Sequence, residues 1–219
     1  MRDVFQQELY EVQERLVEIA GLVATSMQNA TVAFGDVNVE LAEQVIEADA
    51  RIDELALSLD ELAIQILARQ QPVARDLRIV VSALRISASL ERMGDMAEHI
   101  AQLARYRFPE RVVAKGLRGT FRKMGELDVE VANKLVDLLR TQDLTLAEEM
   151  RDIDDKIDEL HVSVFDKVLS EKWGGTIGDT VDASLASRYH ERFADHAVSI
   201  ARKVKYLSTG EWAPDKSAG

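Results

Sequence analysis

One stretch of this chain is written twice. Leu90-Glu91-Arg92-Met93-Gly94-Asp95 returns one hundred residues later as His190-Glu191-Arg192-Phe193-Ala194-Asp195. Around it, Ile86, Leu90, Met93, Ala97, Ile100 and Ala104 map onto Ala186, His190, Phe193, Ala197, Ile200 and Val204 at a constant offset. Earlier in each copy, Leu41-Ala42-Glu43 and Ile52-Asp53-Glu54-Leu55 echo Leu146-Ala147-Glu148 and Ile157-Asp158-Glu159-Leu160, both at an offset of 105. A chain that repeats its pattern over this length folds the same unit twice, so the architecture reduces to what one unit does.

Each unit reads as three long helices. From about Val4 to Phe34, apolar residues recur at three- and four-residue steps through Leu9, Val12, Leu16, Ile19, Val23 and Met27. Gly35-Asp36 interrupts the pattern, and Asn38 fits an N-cap. The second helix keeps the regular 4,3 rhythm of a bundle seam through Leu41, Val45, Ala48, Ile52, Leu55, Leu59, Leu62 and Ile66. Pro72 suits the first turn of a third helix reaching about Arg107. Two apolar rows on that helix, one through Leu77, Val81 and Leu84 and one through Ile79, Ala83 and Ile86, predict two packing neighbours.

The scheme restarts after Gly119, with a helix over about Phe121–Arg140, an Asp143-capped helix fading at Trp173-Gly174-Gly175, and a last helix over about Thr180–Leu207. The expectation is an all-α fold of six helices, a tandem pair of antiparallel three-helix bundles. Residues 1–108 form the first bundle, 109–209 the second and 210–219 a flexible tail.

Composition narrows the function. The formal charge of −12 opposes nucleic acid and anionic lipid, and favours cations. No apolar run is long enough to insert in a membrane, and the N-terminus has no signal-peptide core, which points to the cytoplasm. Without cysteine there is neither a disulfide framework nor a thiolate metal site. Gly-rich phosphate loops, Gly-x-Ser-x-Gly and paired Glu-x-x-His motifs are all missing from the sequence, so nothing points to catalysis or to an organic cofactor.

Chemistry is left to the carboxylates. Asp49/Asp53 with Glu91/Asp95 in the first half, and Asp154/Asp158 with Glu191/Asp195 in the second, are acidic pairs one helical turn apart. Each pair lies about a right angle from its helix's main apolar stripe, which predicts edge or surface positions. Where neighbouring helices bring two pairs together, four carboxylates repel unless a cation or protons neutralise them, and hard cations take oxygen ligands; the candidate divalent or trivalent ions are Mn, Mg, Fe and Zn. The competing reading is a solvated acidic face, common in so acidic a chain. His99, one turn past Asp95, and Asp155 are further candidate ligands. His190 stands on a core row and reads as a packing residue, while Arg78, Arg85 and Arg92 form a basic row suited to an anion, a partner or internal ion pairs.

Three segments together resemble the PhoU family: Gln70-Gln71-Pro72-Val73-Ala74-Arg75-Asp76-Leu77-Arg78, then Leu90 to Asp95, then Glu191-Arg192-Phe193-Ala194-Asp195-His196-Ala197. The resemblance spans nearly the whole chain and both repeats. It implies a cytoplasmic, non-enzymatic regulator, peripheral at the inner face of the membrane through its partners. Such a protein represses the phosphate-starvation response by linking the ATPase subunit of the phosphate ABC transporter to a sensor histidine kinase, and is expected as a homodimer. The resemblance also implies metal on the eight paired carboxylates. Met96, His99 and Ser199 depart from the residues the family often carries beside the motif. The alternative is a carboxylate-cluster metal-storage protein or a metal-dependent helical-bundle enzyme.

Overall fold

The computed structural model describes residues 2–210. They form six α-helices: α1 Arg2–Asp36, α2 Val39–Gln70, α3 Ala74–Arg107, α4 Arg118–Thr141, α5 Thr145–Val168 and α6 Ile177–Thr209. A single 3₁₀ turn, Lys115–Leu117, precedes α4, and no strand occurs among the described residues. Helices α1, α2 and α3 pack on one another, as do α4, α5 and α6. The tandem repeat is therefore visible as two three-helix bundles. Of the tail expected over 210–219, Gly210 is the C-cap of α6, and the rest lies outside the described residues.

Local chemistry explains most helix ends. Asn38 accepts the Leu41 N–H at 3.0 Å and starts α2. Pro72 differs from expectation, since Val73 is the N-cap of α3 and the proline sits just outside the helix. Asp143 is likewise displaced by one position. Leu144 is the N-cap of α5, while the Asp143 carboxylate accepts from both the N–H and the hydroxyl of Thr145. Helix α5 stops at Val168, short of Trp173, because the Ser170 hydroxyl takes the Lys167 carbonyl and the chain tightens into turns. Trp173 instead donates its indole N–H to Thr180 at 2.8 Å. Helix α6 starts three residues early, where Thr176 and Asp179 form a reciprocal capping box.

The halves meet along α1 against α4 and α3 against α6. Helix α3 thus has three neighbours, α1, α2 and α6, rather than the two its apolar rows predict. Small residues permit this. Ala83, Ala97, Ala101 and Ala104 of α3, and Ala183, Ala186, Ala194, Ala197 and Ala201 of α6, are all buried. At the other seam, a Cβ on Gly125 would overlap the Thr31 side chain, so glycine sets the approach of α4 to α1. One apolar core runs without interruption through both bundles.

The segment joining the halves is fixed to them. Val112 and Val113 are buried, Arg111 donates to the Gly35 carbonyl at the end of α1, and Arg107 pairs with the buried Asp182 of α6. Among the described residues, no helix is long and apolar enough to cross a membrane.

Candidate metal centres

Because α2 and α3 run side by side, Asp49 and Asp53 on α2 come level with Glu91 and Asp95 on α3. One carboxylate oxygen from each of Asp49, Asp53 and Asp95 lies within 4.8 Å of the other two, close enough for one small cation to touch all three. Gly94 makes this approach possible. A Cβ there would meet Oδ1 of Asp49 at 2.8 Å and the Ile52 side chain at 3.2 Å. The glycine of the repeated motif thus gives the Asp49 carboxylate room against the backbone of α3.

The sequence-based placement of these pairs at the surface holds only in part. Asp49 is 9% exposed, and its Oδ1 is buried with no hydrogen-bond partner. The equivalent oxygen of the second half, Oδ1 of Asp154, is also buried and unpartnered. Measuring the angle to each helix's own stripe misses this, because the burial comes from the neighbouring helix. Asp53 and Asp158 are exposed as expected.

Electrostatics follow from that packing. Burial pushes Asp49 up to about 7, with repulsion from Asp53, Glu98, Asp95 and Glu91 adding to it. Asp154 is pushed to about 7 by burial first and then by Asp158, Asp195 and Asp155, with Arg202 opposing. Glu91 is raised by burial and Asp53, although Arg92 holds it back. Asp158 and Glu191 are raised in the same way, by burial and then by Asp195.

The two clusters differ. In the second half, Asp154, Asp158, Glu191 and Asp195 interact electrostatically, but among the described residues no three of them place oxygens as close together as the first half does. Glu191 is held by Arg188 through two contacts of 2.6 and 2.7 Å, and Arg192 stands 3.8 Å from Asp195. In the first half, Arg92 pairs with Asp95 at 2.7 Å and leaves Glu91 outside the closest group.

Other candidates sort clearly. His99 turns toward α6, its ring 4.9 Å from that of Tyr189, rather than toward the carboxylates. Asp155 is exposed but close enough to raise Asp154 and Asp158. Nδ1 of His161 lies 2.7 Å from the Ser187 hydroxyl. Of the basic row, Arg78 sits over the Tyr206 ring and Arg92 serves Asp95, while the intervening Ser82 and Ser89 are buried.

The sequence reading passed over Glu98, which acts on Asp49, and Asp60, which acts on Glu91 and has its own buried unpartnered oxygen. The signal was available. Each lies seven residues, two turns on the same face, beyond Glu91 and Asp53 respectively. Also overlooked was Asp128, buried in α4 with its Oδ2 2.5 Å from Nδ1 of His190.

The donor set suits a hard cation: carboxylate oxygens alone, crowded, with an orphaned buried oxygen at the same position of each repeat. Comparison with known proteins places the chain in a family. The PhoU domain model matches residues 16–104 and again 121–204, one match on each bundle. The chain is 39% identical over 210 residues to the phosphate-specific transport system accessory protein PhoU homolog 2 of Mycobacterium tuberculosis, covering 96% of this chain and 99% of that one. It is 35% identical over 206 residues to the PhoU homolog of Aquifex aeolicus, covering 93% and 92%. Among solved structures, PhoU from Pseudomonas aeruginosa superposes with a TM-score of 0.83 at 29% identity, over 94% of this chain and all of that one. The phosphate transport system regulatory protein PhoU from Streptococcus pneumoniae gives 0.85 at 25% identity, over 96% and all of its length. With both repeats matched and relatives aligned end to end, the chain belongs to the PhoU domain family.

Proposed function

We propose that this protein is a non-enzymatic accessory regulator of phosphate transport that acts in the cytoplasm as a homodimer. In this reading it holds the phosphate-starvation response off when phosphate is plentiful, as an adaptor between the transporter's ATPase subunit and a sensor histidine kinase. The observation that carries it is the end-to-end similarity to proteins named as phosphate-transport accessory proteins. An adaptor needs addressable surface more than a catalytic pocket, and the exposed arginines Arg78, Arg85 and Arg92 supply a positive strip on an otherwise acidic molecule.

The second part of the proposal concerns metal. Asp49, Asp53 and Asp95, with Glu91 beside them, would hold one cation, and Asp154, Asp158, Glu191 and Asp195 would hold another. A bound divalent or trivalent ion would supply the positive charge that these carboxylates lack. The protein's own residues set the rest: Gly94 admits Asp49, Arg92 orients Asp95, and Arg188 restrains Glu191.

Deletion of the gene in a strain carrying a phosphate-regulon reporter tests the regulatory part. The reporter is expected to stay on in high phosphate, and to be switched off again by a plasmid copy. Repression that survives the deletion would count against the adaptor reading, whatever the metal content.

A further inference from the structure

The two repeats expose apolar side chains at the same places. On α2, Leu57 is 63% and Ile64 59% exposed. Their counterparts at the offset of 105 are Val162 on α5, 58% exposed, and Leu169 at its end, 78% exposed. On α3, Leu77 is exposed and Val81 half-buried, and at the offset of 100 α6 exposes Ile177 and Val181. Single apolar residues scattered over a surface need no explanation, but a group of them that recurs in both copies of a repeat marks a surface that something covers.

These side chains continue the rows of the carboxylate pairs. Leu57 and Ile64 follow Asp53 by about one and three turns of α2, and Val81 and Leu77 precede Glu91 by about three and four turns of α3. The same spacings run from Asp158 and from Glu191 in the second half. Both helix pairs meet in one register: the Ser87 hydroxyl donates to the Ala56 carbonyl at 3.4 Å, and the equivalent Ser187 hydroxyl lies 2.7 Å from Nδ1 of His161. With Asp49 beside Asp95, counting in opposite directions brings Ile64 level with Val81, and in the second half Leu169 level with Val181. Each half therefore carries a groove between two helices, with an apolar floor and carboxylates at one end. Arg78 and Arg85 border the first groove, but their counterparts are Gly178 and Leu185, so the apolar floor and the acidic end are what the two grooves share.

We propose that each groove docks an amphipathic helix of a partner protein, its apolar stripe on the floor and a lysine or arginine against the carboxylates. The docked helix adds a fourth member to a three-helix bundle and packs as bundle helices do. Charge selects this occupant. Anionic lipid is repelled by the carboxylates and by the formal charge of −12 on the whole chain, and a second copy carries that same charge and the same acidic grooves. A basic helix is attracted by both. The proposal rests on the adaptor reading for its biological use alone, since the groove chemistry is independent of which process the partner serves.

The test uses the full chain with EDTA present, so that cations at the carboxylates play no part. The probe is a synthetic helical peptide of about 18 residues, roughly five turns, with leucines along one face, alanine and glutamine elsewhere, and a pair of lysines at one end. Calorimetric titration is expected to show two peptides bound per chain. Exchanging the lysines for glutamates should weaken binding about tenfold or more. Leu57→Ser with Ile64→Ser should remove one of the two bound peptides, and Val162→Ser with Leu169→Ser the other, with circular dichroism unchanged because all four positions are exposed. The proposal is overturned if the lysine peptide does not bind, if the glutamate peptide binds as tightly, or if the serine variants bind as many peptides as the wild type. It is also overturned if the chain alone sediments as a dimer that the four serines dissociate, or binds phosphatidylglycerol vesicles through the same four positions, since the grooves would then belong to a second copy or to a membrane. Peptide binding is read on the purified chain, so its failure and the failure of the adaptor reading in the reporter strain are separate results.

Discussion

Manganese added to the metal-free protein at pH 8 is expected to raise its melting temperature by about 10–20 °C, and the same addition at pH 5 to raise it hardly at all. Asp49 and Asp154 both sit at about 7 in the folded chain, above the ordinary 3.8. For such groups the proton-bound form favours folding. That contribution is complete below about pH 4 and is lost as the pH rises from there through about 7. Allowing for partial solvent exposure, each is worth on the order of 2–3 kcal/mol. Above this window the folded protein carries two charged carboxylates with buried, unpartnered oxygens. A cation removes that penalty. Two sites, each at a hundred times the dissociation constant, give about 5 kcal/mol, with about 2–4 °C per kcal/mol for a chain of this size. At pH 5 protons compete for the same oxygens and binding weakens. Glu91→Ala with Asp95→Ala, and Glu191→Ala with Asp195→Ala, should each remove about half of the rise and of the bound metal, leaving helicity unchanged. A pH 8 melting temperature indifferent to manganese, magnesium, iron and zinc alike would mean that the acidic rows are solvated faces.

Gly94→Val should be strongly damaging at the buried contact of α3 with α2, although it leaves every carboxylate in place. The first added carbon alone would sit 2.8 Å from Oδ1 of Asp49 and 3.2 Å from Ile52. Helix α2 must then retreat or Asp49 must swing away, at an overpacking cost of about 1–3 kcal/mol. The β-branched residue gains little helix propensity over glycine to offset this. Melting temperature should fall by about 2–12 °C, and the first cluster should lose its cation while the second keeps its own. The matched control is Ala194→Gly, at the equivalent place in the second half. It removes one methyl group from a buried helix position and should cost about 1 kcal/mol with no loss of metal. Equal metal contents in Gly94→Val and the wild type would show that the glycine plays no part in forming the site.

Periodicity and duplication were enough to read six helices and two bundles from the residues alone, and to single out eight paired carboxylates as candidates. What they could not supply was the third dimension of each pair. The position of Asp49 on its own helix predicts an edge, and only the approach of α3 at Gly94 turns that edge into a near-buried pocket. The pairing of halves was hidden for a similar reason. Rows of alanine on α3 and α6 look like weak stripes until they are seen to let two helix backbones close on each other. Asp128 could have been found. It interrupts an otherwise apolar row, Phe121, Met124, Val131 and Leu135, at the spacing of a buried helix face, and a lone acid there announces a partner. Which partner, His190, depends on how α4 meets α6, and no local pattern contains that.

The strap between the bundles bears on how such a protein can signal. Two valines sunk in the core, Arg111 bonded back to α1 and Arg107 paired with a buried acid on α6 leave no slack at the point where a hinge would have to be. Removing Arg107 strands the buried Asp182 charge, so opening the molecule there is costly. In the proposed regulatory role a molecule held this way would not act as a clamp or a pair of jaws. It would present one fixed face whose charge pattern changes when a cation binds, and partners would read that pattern as a key is read by a lock. Spin labels on α2 and α5 should accordingly report one narrow distance, unchanged by cation, and a broad or shifting distribution would argue for jaws after all.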